Sequence, residues 1–194
     1  MRPERPLPDE PSTRRIIVPA YRRAIVDLFG EPGREQVIAL LSGDSRDEFV
    51  RDVTANTRWI PSRHLIAWSF AIWEGPAARR RDVMAEFVRR SWDLSFGVIR
   101  KLLLHMATPD SIVVRLPEIW KQDNTAGTLE AALADGGRGA TLHLSDTPFI
   151  DTPHGRASIA EIYRHALAQT RASNVTETHA LDSPTRMVIR LRWT

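Results

Sequence analysis

The chain has 194 residues, 42% of them hydrophobic and 26% charged, a balance that suits one globular domain and excludes a disordered, collagen-like or coiled-coil protein. It contains no cysteine, which removes disulfide scaffolds, thiol nucleophiles, iron–sulfur clusters and cysteine zinc sites. The formal net charge is only +3, and acidic residues accompany the arginines, as in Arg46-Asp47-Glu48 and Arg81-Asp82, so a salt-bridged surface is expected and nucleic acid is not the expected partner.

Met1 to Thr13 carries Pro3, Pro6, Pro8 and Pro11 among charges, which reads as a disordered arm outside the fold. Residues 14–194 are expected to form a single domain, helical over 19–121 and sheet-forming over 125–194. With no apolar run of about 18 residues and no apolar N-terminal stretch, neither a membrane span nor a signal peptide is expected, and the chain is read as cytoplasmic.

From Pro19, the residues Ala20, Ile25, Leu28 and Phe29 recur at helical spacing as far as Gly30, and Pro32 opens a second helix through Val37, Ile38, Leu40 and Leu41. A third helix is expected over 45–55. Trp59-Ile60-Pro61 then interrupts, because the residue before a proline avoids the helical region, and a fourth helix runs from Arg63 to Trp73. The longest helix is expected over 77–107, with Met84, Val88, Trp92, Ile99, Leu102 and Met106 in one apolar stripe. Pro109 to Trp120 reads as a short helix or two turns.

After Asn124 the period changes to alternation. Runs over 128–134 and 140–145 flank Asp135-Gly136-Gly137 as a hairpin, and runs over 175–181 and 186–193 flank Asp182-Ser183-Pro184 as another. Between the hairpins, Ser158-x-x-Glu161 has the form of a capping box before Ile159, Ile162, Tyr163, Ala166 and Leu167. The expected fold is therefore α+β: a helical N-terminal half packed on a four-stranded antiparallel sheet, in the order strand, strand, helix, strand, strand. The sheet face away from that helix is expected to rest on the long helix.

Motifs for chemistry are sparse. There is no HExxH and no GxSxG, so no catalytic or metal-ligating residue is assigned. The only polar cluster that an enzyme could use lies in the 143–156 region, where His143, Asp151 and His154 would have to converge. Tryptophan concentrates in the helical half and could line a hollow there, with Trp59, Trp92 and Trp120, together with His105, as candidate ligand-binding residues.

A helical half with Trp59-Ile60-Pro61, a long helix leading to Leu116-Pro117-Glu118-Ile119-Trp120, Gly127 opening the first strand and Trp193 closing the last together resemble a family of myxobacterial paralogues of about this length. That family in turn resembles the fold shared by 4-vinyl-reductase ligand-binding domains, haem-nitric-oxide-binding domains and TRAPP tethering subunits. The resemblance implies a regulatory or scaffolding module with an internal apolar cavity and a capacity to form a homodimer. In haem-nitric-oxide-binding domains the proximal histidine lies on the long helix before the sheet, and His105, after Leu102-Leu103-Leu104, holds a similar place. The same family holds the haem propionates with a tyrosine, a serine and an arginine on the first strand. Here that strand reads Gly127-Thr128-Leu129-Glu130-Ala131-Ala132, without the tyrosine or the arginine. No cofactor is therefore expected. The reading is a non-catalytic regulatory module that binds a partner protein or a small apolar ligand. The alternatives are an enzyme using the 143–156 region, a haem or gas sensor through His105 and, third, a weak nucleic-acid binder.

Overall fold

The computed structural model describes residues 9–51, 58–95 and 104–194. Alternation builds the C-terminal half. In β4 (Gly139–Ser145) the residues Ala140, Leu142 and Leu144 are buried, and Leu191, Ile189 and Met187 of β6 (Arg186–Arg192) stand opposite them in antiparallel register. Pairs of branched side chains across a ladder stabilise it most when they share the buried face, as these do. β3 (Thr128–Leu133) pairs outside β4, and β5 (Thr176–Ser183) outside β6, giving the strand order β3-β4-β6-β5. This is the expected α+β architecture and the expected antiparallel sheet.

Helix α1 (Ile17–Leu40) bends at Gly30, whose φ of 66° interrupts the helix just before Pro32. The two expected helices are thus the two arms of one bent element. It is followed by α2 (Gly43–Val50), α3 (Ser62–Glu74) and α4 (Arg81–Ser95). Their apolar stripes close one core around Ile25, Val37, Phe49, Trp68, Ile72 and Phe87. The short helices α5 (Pro109–Val113) and α6 (Leu116–Asp123) belong instead to the sheet core, through Val113, Leu116 and Trp120.

Helix α7 (Pro153–Ala168) joins the two cores. Its Ile159, Tyr163 and Leu167 lie in the sheet core, while Ile162 packs against the helical core. Phe149, in the 3-10 turn Pro148–Ile150, touches both. Helix α4 is tied to α7 by polar contacts: Arg89 donates to Glu161 at 2.8 Å, and His165 lies 3.0 Å from Asp93.

Four expectations need correction. Ser12 and Thr13, assigned to the disordered arm, are buried and lie in β1 (Ser12–Arg14), which pairs with β2 (Trp59–Pro61). Backbone bonds and the Thr13 to Ser62 hydroxyl contact of 3.1 Å hold it there, not an apolar pattern. The long helix starts at Arg81 and not at residue 77, because Ala78 and Arg79 take positive φ in a turn that caps α3, with Arg79 N–H donating to the Trp73 carbonyl at 2.8 Å. Residues 96–103 of that expected helix, and 52–55 of the third, lie outside the described residues.

The cap of α7 is Thr152, whose Oγ1 accepts from Gly155 N–H at 3.1 Å ahead of Pro153 in the first turn. The Ser158-x-x-Glu161 pattern therefore lies inside the helix. Finally, α4 does not form the second layer on the sheet: α7 stands between them, and the sheet's other face presents the exposed Glu130, Thr178 and Arg190.

Gly127 shows how tightly the first strand is joined. Its φ is +82°, and a Cβ there would meet Thr147 Cβ at 2.8 Å and the Ser145 carbonyl oxygen at 2.9 Å. Gly127→Ala is expected to cost at least about 1–2 kcal/mol, the left-handed penalty alone. Chemical denaturation checks this; an unchanged midpoint would mean that the turn adjusts freely.

Candidate functional site

A concavity lies where α3, α4 and α7 meet. A hollow of about 80 Å³ is walled by Trp73, Met84, Val88 and Ala157, with His154 and Ser158 among its other lining residues. It opens into a groove of about 470 Å³ running along β5, the two sharing Arg81, Ala85, Pro153 and Ala157. The groove exists because β5 places Glu177 and His179 opposite Leu191 and Ile189, on the face that the other strands fill with aliphatic side chains. Polar residues at those inward positions leave the edge strand incompletely covered.

The chemistry of this region is mixed. Trp73 stacks on His154 at 5.9 Å between ring centroids, and Phe70 tilts against the same imidazole at 5.8 Å. Burial holds the His154 imidazole below its ordinary pKa; Glu74 pulls it up and Arg156 presses it further down. The Ser158 hydroxyl oxygen is buried with no hydrogen-bond partner among the described residues. Two guanidiniums face the groove. Arg156 donates to the Ile150 carbonyl at 2.7 Å, and neither it nor Arg81 has a carboxylate partner among the described residues.

The candidate residues from the sequence lie elsewhere and do not converge. Trp59 is half-buried in β2 beneath the guanidinium of Arg58 at 5.2 Å. Trp92 is buried edge-on to His165 at the joint of α4 with α7, with centroids 5.2 Å apart. Trp120 is buried in the sheet core, its indole N–H donating to the carbonyls of Ala126 and Gly127 at 3.2 and 3.1 Å. His105 is exposed, next to the exposed Met106. None of the four lines the hollow or the groove.

The enzyme cluster does not assemble either. His143 points to the sheet face away from the core, between Glu130 and Val188, while His154 stacks on α3 and Asp151 is exposed. Among the described residues no group of three metal-binding side chains comes together, and no helix is long and apolar enough to cross a membrane. The sequence reading missed Arg156 and Ser158. The one signal for them was the Ser158 hydroxyl among the apolar neighbours Ala157 and Ile159.

No family model matches the chain, and no curated protein matches it in sequence. Solved structures do match in fold. The Fe(II) unliganded H-NOX protein from K. algicida superposes with a TM-score of 0.67 at 11% identity, over 93% of this chain and 96% of that one. An oxygen-binding H-NOX domain related to soluble guanylate cyclases gives 0.60 at 11% identity, over 92% and 93%. A protein whose haem redox potential is modulated through protein-induced porphyrin distortion gives 0.57 at 12% identity, over 92% and 99%. These neighbours correct the expectation of no cofactor: one is described by its haem redox potential and another by its Fe(II).

At the positions that the resemblance assigned to a haem, the residues present do not fit one. His105 is exposed, and β3 turns only Leu129, Ala131 and Leu133 toward the core, with no donor for a propionate. The hollow has an imidazole, the Arg81 guanidinium and apolar walls, and the groove into which it opens adds Arg156. The chain has the fold of the H-NOX proteins.

Proposed function

We propose that this chain is a sensor module on the H-NOX fold, not itself catalytic, that responds to a small ligand and takes haem as its cofactor, held by residues other than His105 and those of β3. The observation that carries this reading is the extent of the likeness, which runs over 93% of this chain and 96% of the first neighbour. Function lives in sites and not in folds, so the test must be direct.

The joint between α4 and α7 suits a sensor. Arg89–Glu161, Asp93–His165 and the Trp92–His165 edge contact connect the helical core to the helix that covers the sheet. A ligand that parts α4 from α7 loads these contacts, and a partner protein reading either half would register the shift.

Titration of the purified chain with haemin, followed by absorption spectroscopy, tests the reading. A saturable Soret band at one haem per chain, retained in His105→Ala because that side chain is exposed, is expected. Absence of a Soret band after expression with added haem precursor overturns the haem assignment.

A further inference from the structure

We propose that the hollow between α3, α4 and α7, with the groove along β5, binds a carboxylate that carries an apolar body. This goes beyond the sensor reading, because it names a site and a ligand chemistry that do not depend on iron.

The apolar half of the argument rests on shape. Trp73, Met84, Val88 and Ala157 wall the hollow, and its volume of about 80 Å³ exceeds the roughly 30 Å³ that one water occupies but is smaller than the cavity of about 150 Å³ that takes a benzene ring. It therefore admits a short alkyl run or the edge of a larger flat group, while the remainder lies in the groove outside.

The polar half rests on charge that nothing in the fold consumes. Around the groove, Glu161 is bound by Arg89 and Arg164, at 2.8 and 2.6 Å. Glu177 contacts His179 at 3.0 Å. Arg81 and Arg156 face the same groove, and neither has a carboxylate partner among the described residues. Arg156 is oriented by the Ile150 carbonyl at 2.7 Å, so its remaining guanidinium N–H groups are preorganised for an anion.

The Ser158 hydroxyl supplies the second observation. It lines the hollow, and its oxygen is buried without a partner. A serine inside a helix ordinarily returns its hydroxyl to the carbonyl one turn back. Left unpartnered beside an apolar hollow, it is a hydrogen-bonding group that the fold does not use and an entering ligand can.

The carboxylate could be that of a free straight-chain acid or the propionate of a porphyrin, and the experiment separates the two. Calorimetric titration of the full chain uses octanoate, 1-octanol and haemin as probes. Octanoate is expected to bind saturably and at least about tenfold more tightly than octanol, the difference made by a charge-assisted contact. Arg81→Gln and Arg156→Gln should each weaken octanoate about tenfold while leaving octanol unchanged, and Arg81→Gln, whose side chain is exposed, should also leave the thermal midpoint unchanged. Ala157→Leu, which fills the hollow, should weaken both probes.

Haemin that competes with octanoate identifies the porphyrin carboxylates as occupants of the site. Haemin that binds without competing assigns the site to the free acid. Octanoate binding with no Soret band leaves this site standing and removes the haem reading, so the two fail separately. The proposal is overturned if neither octanoate nor haemin binds saturably, or if their binding is indifferent to all three substitutions.

Discussion

Trp68→Ala is expected to destabilise the chain by about 3–5 kcal/mol, the range for removing a large aromatic side chain from a packed core. Trp68 is fully buried on α3. Its ring meets Phe49 of α2 edge-on, with centroids 5.3 Å apart, and its indole N–H donates to the Ser45 carbonyl at 2.9 Å. Truncation therefore opens a cavity, removes the aromatic contact and leaves a carbonyl of α2 without its donor, three losses that act on the same pair of helices. For a chain of this size the midpoint should fall by about 6–20 °C. Trp68→Phe keeps part of the packing and loses only the donor, so it should lie well below the alanine variant. Guanidinium unfolding of both variants is the measurement, and an alanine variant within about 1 kcal/mol of wild type would mean that α2 is not held by this side chain.

The elements that were legible in the sequence are those whose stabilisation is local. Leu142 and Leu144 alternate with Thr141 and His143, and that alternation specifies β4, its register and its buried face in one stroke. The kink at Gly30 is likewise visible, since glycine followed by Glu31-Pro32 stops one helical run and starts another. β1 was hidden because its partner, β2, is more than 40 residues away along the chain, as in the pairing of Thr13 with Ile60. The start of α7 was misread for a different reason. Ser158-x-x-Glu161 satisfies the spacing of a capping box, but Glu161 turns to Arg89 and Arg164 across the α4 joint, and Thr152-Pro153 makes the cap. Local pattern and tertiary demand disagree there, and the tertiary contact prevails.

The site was less legible than the fold. Aromatic content drew attention to Trp59, Trp92 and Trp120, each of which serves packing or a backbone hydrogen bond. The hollow is instead assembled from Trp73, Met84 and Ser158, three residues on three helices. Their juxtaposition follows from how α7 seats between the two cores, which no window of sequence contains.

Glu161→Gln is the second large effect, and its pH dependence carries the information. Glu161 is buried, which by itself would push its pKa up, but hydrogen bonds from Arg164 and Arg89 outweigh burial and hold it below the ordinary value of 4.5. A carboxylate whose pKa is depressed by folding contributes stability that is fully present above its unfolded pKa and is lost as pH falls through the folded one. Removing the charge at pH 7 leaves two guanidiniums facing a neutral amide in a half-desolvated joint. A fully buried pair would cost more, but the arginine side chains keep 35% and 26% of their exposure, so a loss of about 2 kcal/mol is expected. As pH falls below the ordinary glutamate value, the stability that the folded carboxylate contributes is progressively lost, so the gap between the two proteins should narrow on acidification. Denaturant unfolding of both proteins at pH 7 and pH 3 measures that gap at each end. A difference of the same size at both would show that Glu161 is held by shape and not by charge, and that the joint between α4 and α7 does not depend on its ion pairs.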